Sequence, residues 1–98
     1  MTMTNTEAAH RLNLMAEAVK LLDGVGVLSM TVYGDDDHIL VNGDSLIKYL
    51  NTHTRAFRIE PQSTGRHVFP SVISTWCGTV RVYAYVTAEM LEKLEVKK

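Results

Sequence analysis

Residues 67–86, HVFPSVISTWCGTVRVYAYV, constrain the fold more than any other stretch of the chain. Apolar residues recur at every second position on both sides of Cys77-Gly78-Thr79, a pattern typical of two β-strands joined by a tight turn. The two-residue turn could be formed by Cys77-Gly78 or by Gly78-Thr79. Both alternatives place the same side chains on the same face of the hairpin. The stretch therefore predicts a β-hairpin with two distinct faces.

The two faces of this hairpin differ in chemistry. The predicted core face carries Phe69, Ile73, Val80, Val82, Ala84 and Val86. The second face carries Pro70, Val72, Trp76, Arg81, Tyr83 and Tyr85. Aromatic side chains with polar tips suit a partly covered surface or the centre of an interface, so two alternatives are open: packing beneath a helix of the same chain, or binding a partner. Because proline cannot donate a ladder hydrogen bond, we expect the strand with Pro70 at a sheet edge, at least locally.

A helix is predicted to precede the strands. Thr4 is a candidate N-cap with Glu7 three positions later, and about 17 helical residues follow up to Gly24, which can end the helix in a left-handed conformation. The inward stripe is Ala8, Leu12, Met15, Val19 and Leu22, widened by Leu14, Ala18 and Leu21.

Shorter elements fill the middle and the end of the chain. Residues 25–33 and 38–41 alternate as a hairpin around an acidic turn at residues 34–37. Residues 45–52 have helical spacing with Asp44 as the candidate N-cap, although Asn42-Gly43 could instead form a tight turn. Residues 55–60 alternate as a strand that ends at Pro61, and Thr87 is the candidate N-cap of a last helix.

These elements predict an α+β fold in a single domain, residues 1–98. A mostly antiparallel sheet of about five strands is expected to be covered by an N-terminal helix, a short middle helix and a C-terminal helix. The order of elements is αββαββ(β)α, with the last strand in parentheses optional. A chain of 98 residues has the usual length of one domain.

Composition points to an ordinary globular protein with a net charge of −1 and 46% hydrophobic residues. The single cysteine, Cys77, excludes an intramolecular disulfide and fits a reducing cytoplasm. The first residues lack the pattern of a signal peptide, and no apolar run approaches the roughly 18 residues of a membrane span. We therefore expect a soluble cytoplasmic protein that does not interact with a membrane.

The sequence contains no motif that predicts catalysis, a metal site or a cofactor. The four histidines lack zinc-ligand spacing, and Asp35-Asp36-Asp37 lacks the glycine and glutamate of a calcium loop. A site made in space by His38, Asp36 and His67 is an open alternative. An enzyme would depend on a histidine and arginine group around residues 53–67, namely His53, Arg55, Arg58, Arg66 and His67.

The sequence thus leaves three functional hypotheses. The first is a small protein-interaction module that binds a protein partner or forms a homodimer through the outer face of the hairpin, with an origin in a phage or mobile element as an open alternative. The second is a nucleic-acid-binding module, because single-strand binders combine basic and aromatic side chains. The third is the small enzyme. The candidate binding residues are Arg58, Arg66, Trp76, Arg81, Tyr83 and Tyr85.

Overall fold

A computed structural model describes residues 3–33, 36–53, 55–61 and 70–94 of the chain. Its elements, in chain order, are α1 (Asn5–Leu21), β1 (Val27–Tyr33), β2 (Asp36–Val41), α2 (Gly43–Thr52), β3 (Phe57–Pro61), β4 (Ser71–Cys77), β5 (Val80–Val86) and α3 (Ala88–Glu92). This order confirms the predicted α+β fold, with five strands and three helices.

The strands form one mixed sheet in the order β1-β2-β5-β4-β3. Three of the four strand pairs are antiparallel, and β2 pairs with β5 in parallel, with Ile39 opposite Val82. The hairpin of β4 and β5 thus lies inside the sheet, and β5 is its central strand. The sheet is mostly antiparallel, as predicted.

The β4–β5 hairpin turns at Gly78-Thr79. Cys77 pairs with Val80 and Trp76 with Arg81, and Gly78 has a φ of 65°, the left-handed value that a type II′ turn requires at its first central position. Pro70 precedes the first paired residue of β4, an interior strand. The predicted edge location was therefore wrong, because a proline outside the ladder removes no hydrogen bond from it. Residues 67–69 lie outside the described residues.

One hydrophobic core joins the helices to a single face of the sheet. Met15, Ala18 and Leu22 at α1 share it with Leu46 and Leu50 of α2, and Met90, Leu91 and Leu94 at α3 pack against its margin. The sheet contributes its alternate side chains, which are Ile39, Val41, Ile73, Val80, Val82, Ala84 and Val86. Among the described residues, all three helices lie on this face. Within the described ranges, the sheet is therefore covered on one side only.

Helix α1 begins and ends close to the predicted positions. Thr4 accepts a hydrogen bond from the Glu7 backbone at 3.1 Å, and Gly24 has a φ of 85°. The predicted inward stripe is too wide, however, because Leu12, Leu14 and Leu21 are exposed. None of the helices in the described ranges is long and apolar enough to cross a membrane.

Two local predictions were wrong because a polar side chain has a different partner. Asp36 and Asp37 begin β2 instead of forming a turn, and Asp37 is buried against Arg11 of α1, whose Nε lies 2.9 Å from Asp37 Oδ1. The N-cap of α2 is Asn42, which accepts a hydrogen bond from the Ser45 backbone at 3.0 Å, so Asp44 lies inside the first turn.

Candidate interaction surface

The sheet face opposite the helices carries most of the candidate binding residues, and no helix of the described ranges lies on it. We call it the open face. Cross-strand pairing arranges its residues in three rows. The central row crosses four strands and contains Leu40, Tyr83, Ser74 and Arg58. The row on one side contains His38, Arg81 and Trp76, and the row on the other side contains Tyr85, Val72 and Glu60. Asp36 lies on the same face at the start of β2. These eleven residues define the open face.

Aromatic rings form a continuous cluster at its centre. The ring of Tyr83 meets that of Tyr85 edge to face, with centroids 5.8 Å apart, and that of His38 at 5.5 Å. The Arg81 guanidinium carbon lies 4.8 Å from the centre of the Tyr83 ring, within cation–π range. Tyr83 is half-buried by these neighbours, whereas Trp76 and Tyr85 remain 43% and 38% exposed. The rings of Tyr83, Tyr85 and His38 therefore support one another, while Tyr85 and Trp76, the cross-strand partner of Arg81, present two large aromatic side chains to solvent.

Charges of both signs surround the aromatic cluster. Arg58 and Arg81 are balanced by Asp36 and Glu60, and His38 Nδ1 lies 3.3 Å from Asp36 Oδ2. The described lysines, Lys20, Lys48 and Lys93, all belong to or flank helices and lie on the other side of the sheet. The open face thus has no large net charge and no described lysine.

Two polar atoms of the open face are buried without a hydrogen-bond partner among the described residues. They are Ser74 Oγ and His38 Nδ1, the latter because its contact with Asp36 lacks hydrogen-bond geometry. Ser74 lies between Tyr83 and Arg58 in the central row and is fully buried. Unsatisfied buried polar atoms are rare in folded proteins, so the centre of the open face departs from an ordinary solvated sheet.

Burial raises the pKa of two groups in the hairpin. The Cys77 thiol is buried on the helix side, which raises its pKa above the ordinary value of 9.0 against the opposing effect of the Arg55 charge. For Tyr83, burial raises the pKa above 10.0, and the nearby Tyr85 and Asp36 add to this rise while Arg81 opposes it. A protonated, buried thiol is a poor nucleophile, so the sulfur of Cys77 is suited to packing and not to covalent catalysis.

These two shifts predict that stability decreases at alkaline pH. Each pKa is higher in the folded chain than in the unfolded chain, so the stabilisation is fully present below the unfolded values and is lost as pH rises through the folded ones. We expect the free energy of unfolding from urea titrations to fall over the range above about pH 8.5, where an unfolded cysteine and then an unfolded tyrosine begin to lose their protons. Cys77→Val should reduce the decrease at the lower end of that range, and an unchanged pH profile in this variant would contradict the assignment to Cys77.

The structure brings together five of the six candidate binding residues. Trp76, Arg81, Tyr83, Tyr85 and Arg58 all belong to the open face. The sixth, Arg66, lies outside the described residues. No described helix covers Tyr83 or Tyr85, and Tyr85 is 38% exposed.

The candidate catalytic residues are distributed over both sides of the sheet. His53 follows α2 in the helix layer, where its ring stacks on Tyr49 with centroids 4.1 Å apart, whereas Arg58 is on the open face. Arg55 donates to the Trp76 backbone oxygen at 2.9 Å. His67 and Arg66 lie outside the described residues, and within the described ranges no three His, Cys, Asp or Glu side chains converge as a metal site would require.

Sequence reasoning missed the contributions of Ser74 and His38 to the open face. Ser74 carries no signal in the chain, because a serine on the second face of a hairpin is expected to be solvated. His38 reaches the aromatic cluster only through the parallel pairing of β2 with β5, in which it lies opposite Arg81. The alternation of residues 36–41 is the signal that could have predicted this position of His38, because it places His38 and Leu40 on the same face of the strand.

Comparison of the chain with protein-family models, curated proteins and solved structures found no significant match. Its function is therefore inferred from the geometry and chemistry of the open face.

Proposed function

We propose that this chain is a protein-interaction module that binds a second copy of itself through the open face. The observation that carries the proposal is the exposure of Trp76 and Tyr85 on two interior strands, next to the half-buried Tyr83. Exposed aromatic side chains at the centre of a sheet are typical of surfaces that a partner covers.

The composition of the open face supports a protein partner. Tyrosine, tryptophan and arginine are enriched at the centres of protein interfaces, whereas lysine is depleted. The central rows of the face contain Trp76, Arg81, Tyr83 and Tyr85, and no described lysine lies on it. The contacts of Tyr83 with Arg81 and Tyr85 also fix side chains before binding, which lowers the entropy lost on association.

Charge balance favours a second copy over a strongly charged partner. Arg58 and Arg81 offset Asp36 and Glu60, so two identical faces do not repel each other through a net charge. Because the charges of the two signs lie at different places on the face, a two-fold arrangement can place a basic group of one copy near an acidic group of the other.

The shape of the sheet permits this arrangement. A two-fold axis parallel to the sheet would stack the two open faces about 10 Å apart, the spacing of ordinary β-sandwiches. Since β5 is the central strand, the two β5 strands would cross near the axis. Tyr83 and Tyr85 of both copies would then form the centre of the interface, with the arginines and carboxylates around it.

Sedimentation equilibrium tests this proposal. We expect a mass of twice 11.0 kDa for the native chain at high concentration. Tyr85→Glu and Trp76→Glu each place a charge at the centre of the interface and should weaken the dimer at least about tenfold. Leu14→Glu is the matched control, because Leu14 is 37% exposed, close to the 38% of Tyr85, but lies on α1. A native chain that stays at 11.0 kDa up to about 1 mM would contradict the proposal.

A second candidate, single-strand nucleic-acid binding, uses the same face. The observation that favours it is the guanidinium of Arg81 over Tyr83 beside the exposed Trp76, since aromatic platforms next to arginines bind bases. Fluorescence anisotropy with a labelled oligothymidylate separates the two candidates. Nucleic-acid binding predicts that the affinity falls as salt is added. The logarithm of the binding constant should fall with the logarithm of the salt concentration with a slope of about −1.4, because each of two phosphate contacts contributes about −0.7. The absence of binding at 50 mM salt would rule it out.

A further inference from the structure

A second surface lies on the helix side of the sheet, away from the open face. It is a groove of about 630 Å³ between α1 and β1. Leu12, Ala16 and Val19 form its α1 wall, a stripe at helical spacing, and Val27, Met30 and Val32 form its β1 wall. Among the described residues that line it, Lys20 alone is charged. Leu12 and Met30 are exposed here although each is a large apolar side chain, so the groove is an apolar surface that the described chain leaves uncovered.

The strand beside the groove has a free hydrogen-bonding edge. β1 is the last strand of the sheet on its side, and no described strand pairs with its outer edge. Every second residue of such a strand directs its N–H and C=O groups away from the sheet. Natural edge strands are normally protected against pairing by charged residues or proline.

The two edges of this sheet differ in that protection. β3, the opposite edge, has the sequence FRIEP, with exposed Arg58 and Glu60 and with Pro61 at its end. β1 has the sequence VLSMTVY, which has no charged residue, proline or glycine. Its pairing with β2 is irregular only at the beginning of the strand, between Val27 and Ser29, so residues 29–33 remain regular. One edge is therefore blocked and the other is suited to accept a strand.

We propose that the groove binds an extended segment of another polypeptide, which adds to the sheet as a sixth strand beside β1. The backbone of the segment pairs with residues 29–33, and its alternate side chains, large and apolar, fill the groove against α1. An apolar groove between a helix and a free sheet edge is the arrangement that strand-addition peptide binding requires. This site is independent of the open face, which lies on the other side of the sheet.

A second copy of the chain fits this groove poorly. α1 contacts β1, β2 and β5, so β2 is the middle strand of its footprint on the sheet. If the β1 edges of two copies paired, their two β2 strands would lie three strand spacings apart. With strands about 4.8 Å apart, this would hold two α1 axes centred over β2 about 14 Å apart. Packed helices lie about 8–10 Å apart, so a gap would remain where the two grooves meet. A single strand without a helix of its own brings its side chains directly over the groove.

Lys20 gives the bound segment a direction. α1 leads into β1 through residues 22–26, so Lys20 lies toward the Val27 end of the groove and Leu12 toward the Val32 end. An antiparallel segment, paired as β2 is paired on the other side, would run from Val32 toward Val27. Its C-terminal part would then reach Lys20, whose present partner, Glu17 at 3.5 Å, forms only a solvent-exposed pair. The segment is expected to carry a carboxylate at that end.

The test uses a synthetic probe of this chemistry. The probe is a fluorescein-labelled, capped heptapeptide with valine or leucine at alternate positions, threonine between them and glutamate at its last position. We expect saturable binding by fluorescence anisotropy. Methylating two backbone nitrogens that face β1 should weaken binding at least about tenfold, because two hydrogen bonds are lost. Equal binding of the methylated probe, or no saturable binding up to about 1 mM, would overturn strand addition.

Variants of the protein locate the site. Ala16 and Ala9 are both exposed on α1, but only Ala16 lines the groove. Ala16→Glu should therefore weaken probe binding at least about tenfold, and Ala9→Glu should leave it within about twofold. Lys20→Ala should remove a two- to fivefold preference for glutamate over lysine at the last probe position, the size expected of a surface ion pair.

Two outcomes separate this site from the open face. Probe binding that survives Ala16→Glu would overturn the assignment to the groove. If Ala16→Glu instead lowers the mass of the native chain in sedimentation, the groove is an interface between copies, and the proposal of a peptide segment is wrong. Tyr85→Glu is expected to leave probe binding unchanged, so failure of the dimer proposal and failure of the groove proposal give different results.

Discussion

Replacing Leu50 with alanine is expected to lower the free energy of unfolding by about 2–5 kcal/mol. Leu50 is 0% exposed in the core between α2 and the sheet, where Ile73 and Val82 are also fully buried. The substitution removes apolar contacts and leaves a cavity that the surrounding β-branched side chains can fill only in part. Urea denaturation followed by circular dichroism measures the effect.

The matched control for this substitution is Leu21→Ala. Leu21 is also a helical leucine, but it is 55% exposed, so truncating it should change the free energy of unfolding by less than about 1 kcal/mol. If the two variants lose equal stability, the side of α1 that carries Leu21 is covered in solution, and the single-sided core described above is incomplete.

The second large effect is expected at the ion pair between Arg11 and Asp37. The guanidinium binds both carboxylate oxygens, with Nε at 2.9 Å from Oδ1 and 3.1 Å from Oδ2, and Nη2 also contacts Oδ1. The side chains are only 18% and 9% exposed. Arg11→Met would leave the Asp37 charge buried without this partner and should reduce stability by about 3 kcal/mol, the lower end of the range for buried pairs because Arg11 is partly solvated.

A double-mutant cycle distinguishes the cost of the unpaired charge from the value of the pair. In Arg11→Met/Asp37→Leu both charges are replaced by apolar groups, and we expect the free energy of unfolding to return to within about 1 kcal/mol of the native value. A double variant as unstable as Arg11→Met would show that the loss comes from packing of the arginine side chain and not from the buried carboxylate.

The order of the elements could be predicted because each has a local signal. Thr4, Gly24 and Thr87 mark helix ends, and the alternation of residues 71–86 fixed which side chains of the hairpin share a face whichever turn was formed. The parallel pairing of β2 with β5 has no such signal, since it joins residues more than 40 positions apart. The placement of Asp37 failed for the same reason, because its partner Arg11 lies 26 positions away.

The candidate surface could be predicted only in part. Trp76, Arg81, Tyr83 and Tyr85 follow from the facing of the hairpin, and Arg58 joins them because β3 pairs with β4. Whether a helix covers them depends on which face of the sheet the helices pack against. The apolar stripe of an amphipathic helix does not indicate that face. The groove escaped prediction because Leu12 was assigned to the inward stripe of α1, whereas it is 58% exposed and lines a groove beside the edge strand β1.

The position of β5 at the centre of the sheet also determines when the chain can fold. β5 is the last of the described strands to be synthesised, yet it is the strand that joins the β1–β2 hairpin to β3 and β4. Until Val86 is available, β2 and β4 each have an unpaired inner edge next to apolar side chains, a situation that favours aggregation. Closing the sheet requires contacts between distant parts of the chain, so folding is expected to be cooperative and comparatively slow. A nascent chain would therefore assemble its sheet only after β5 had left the ribosome.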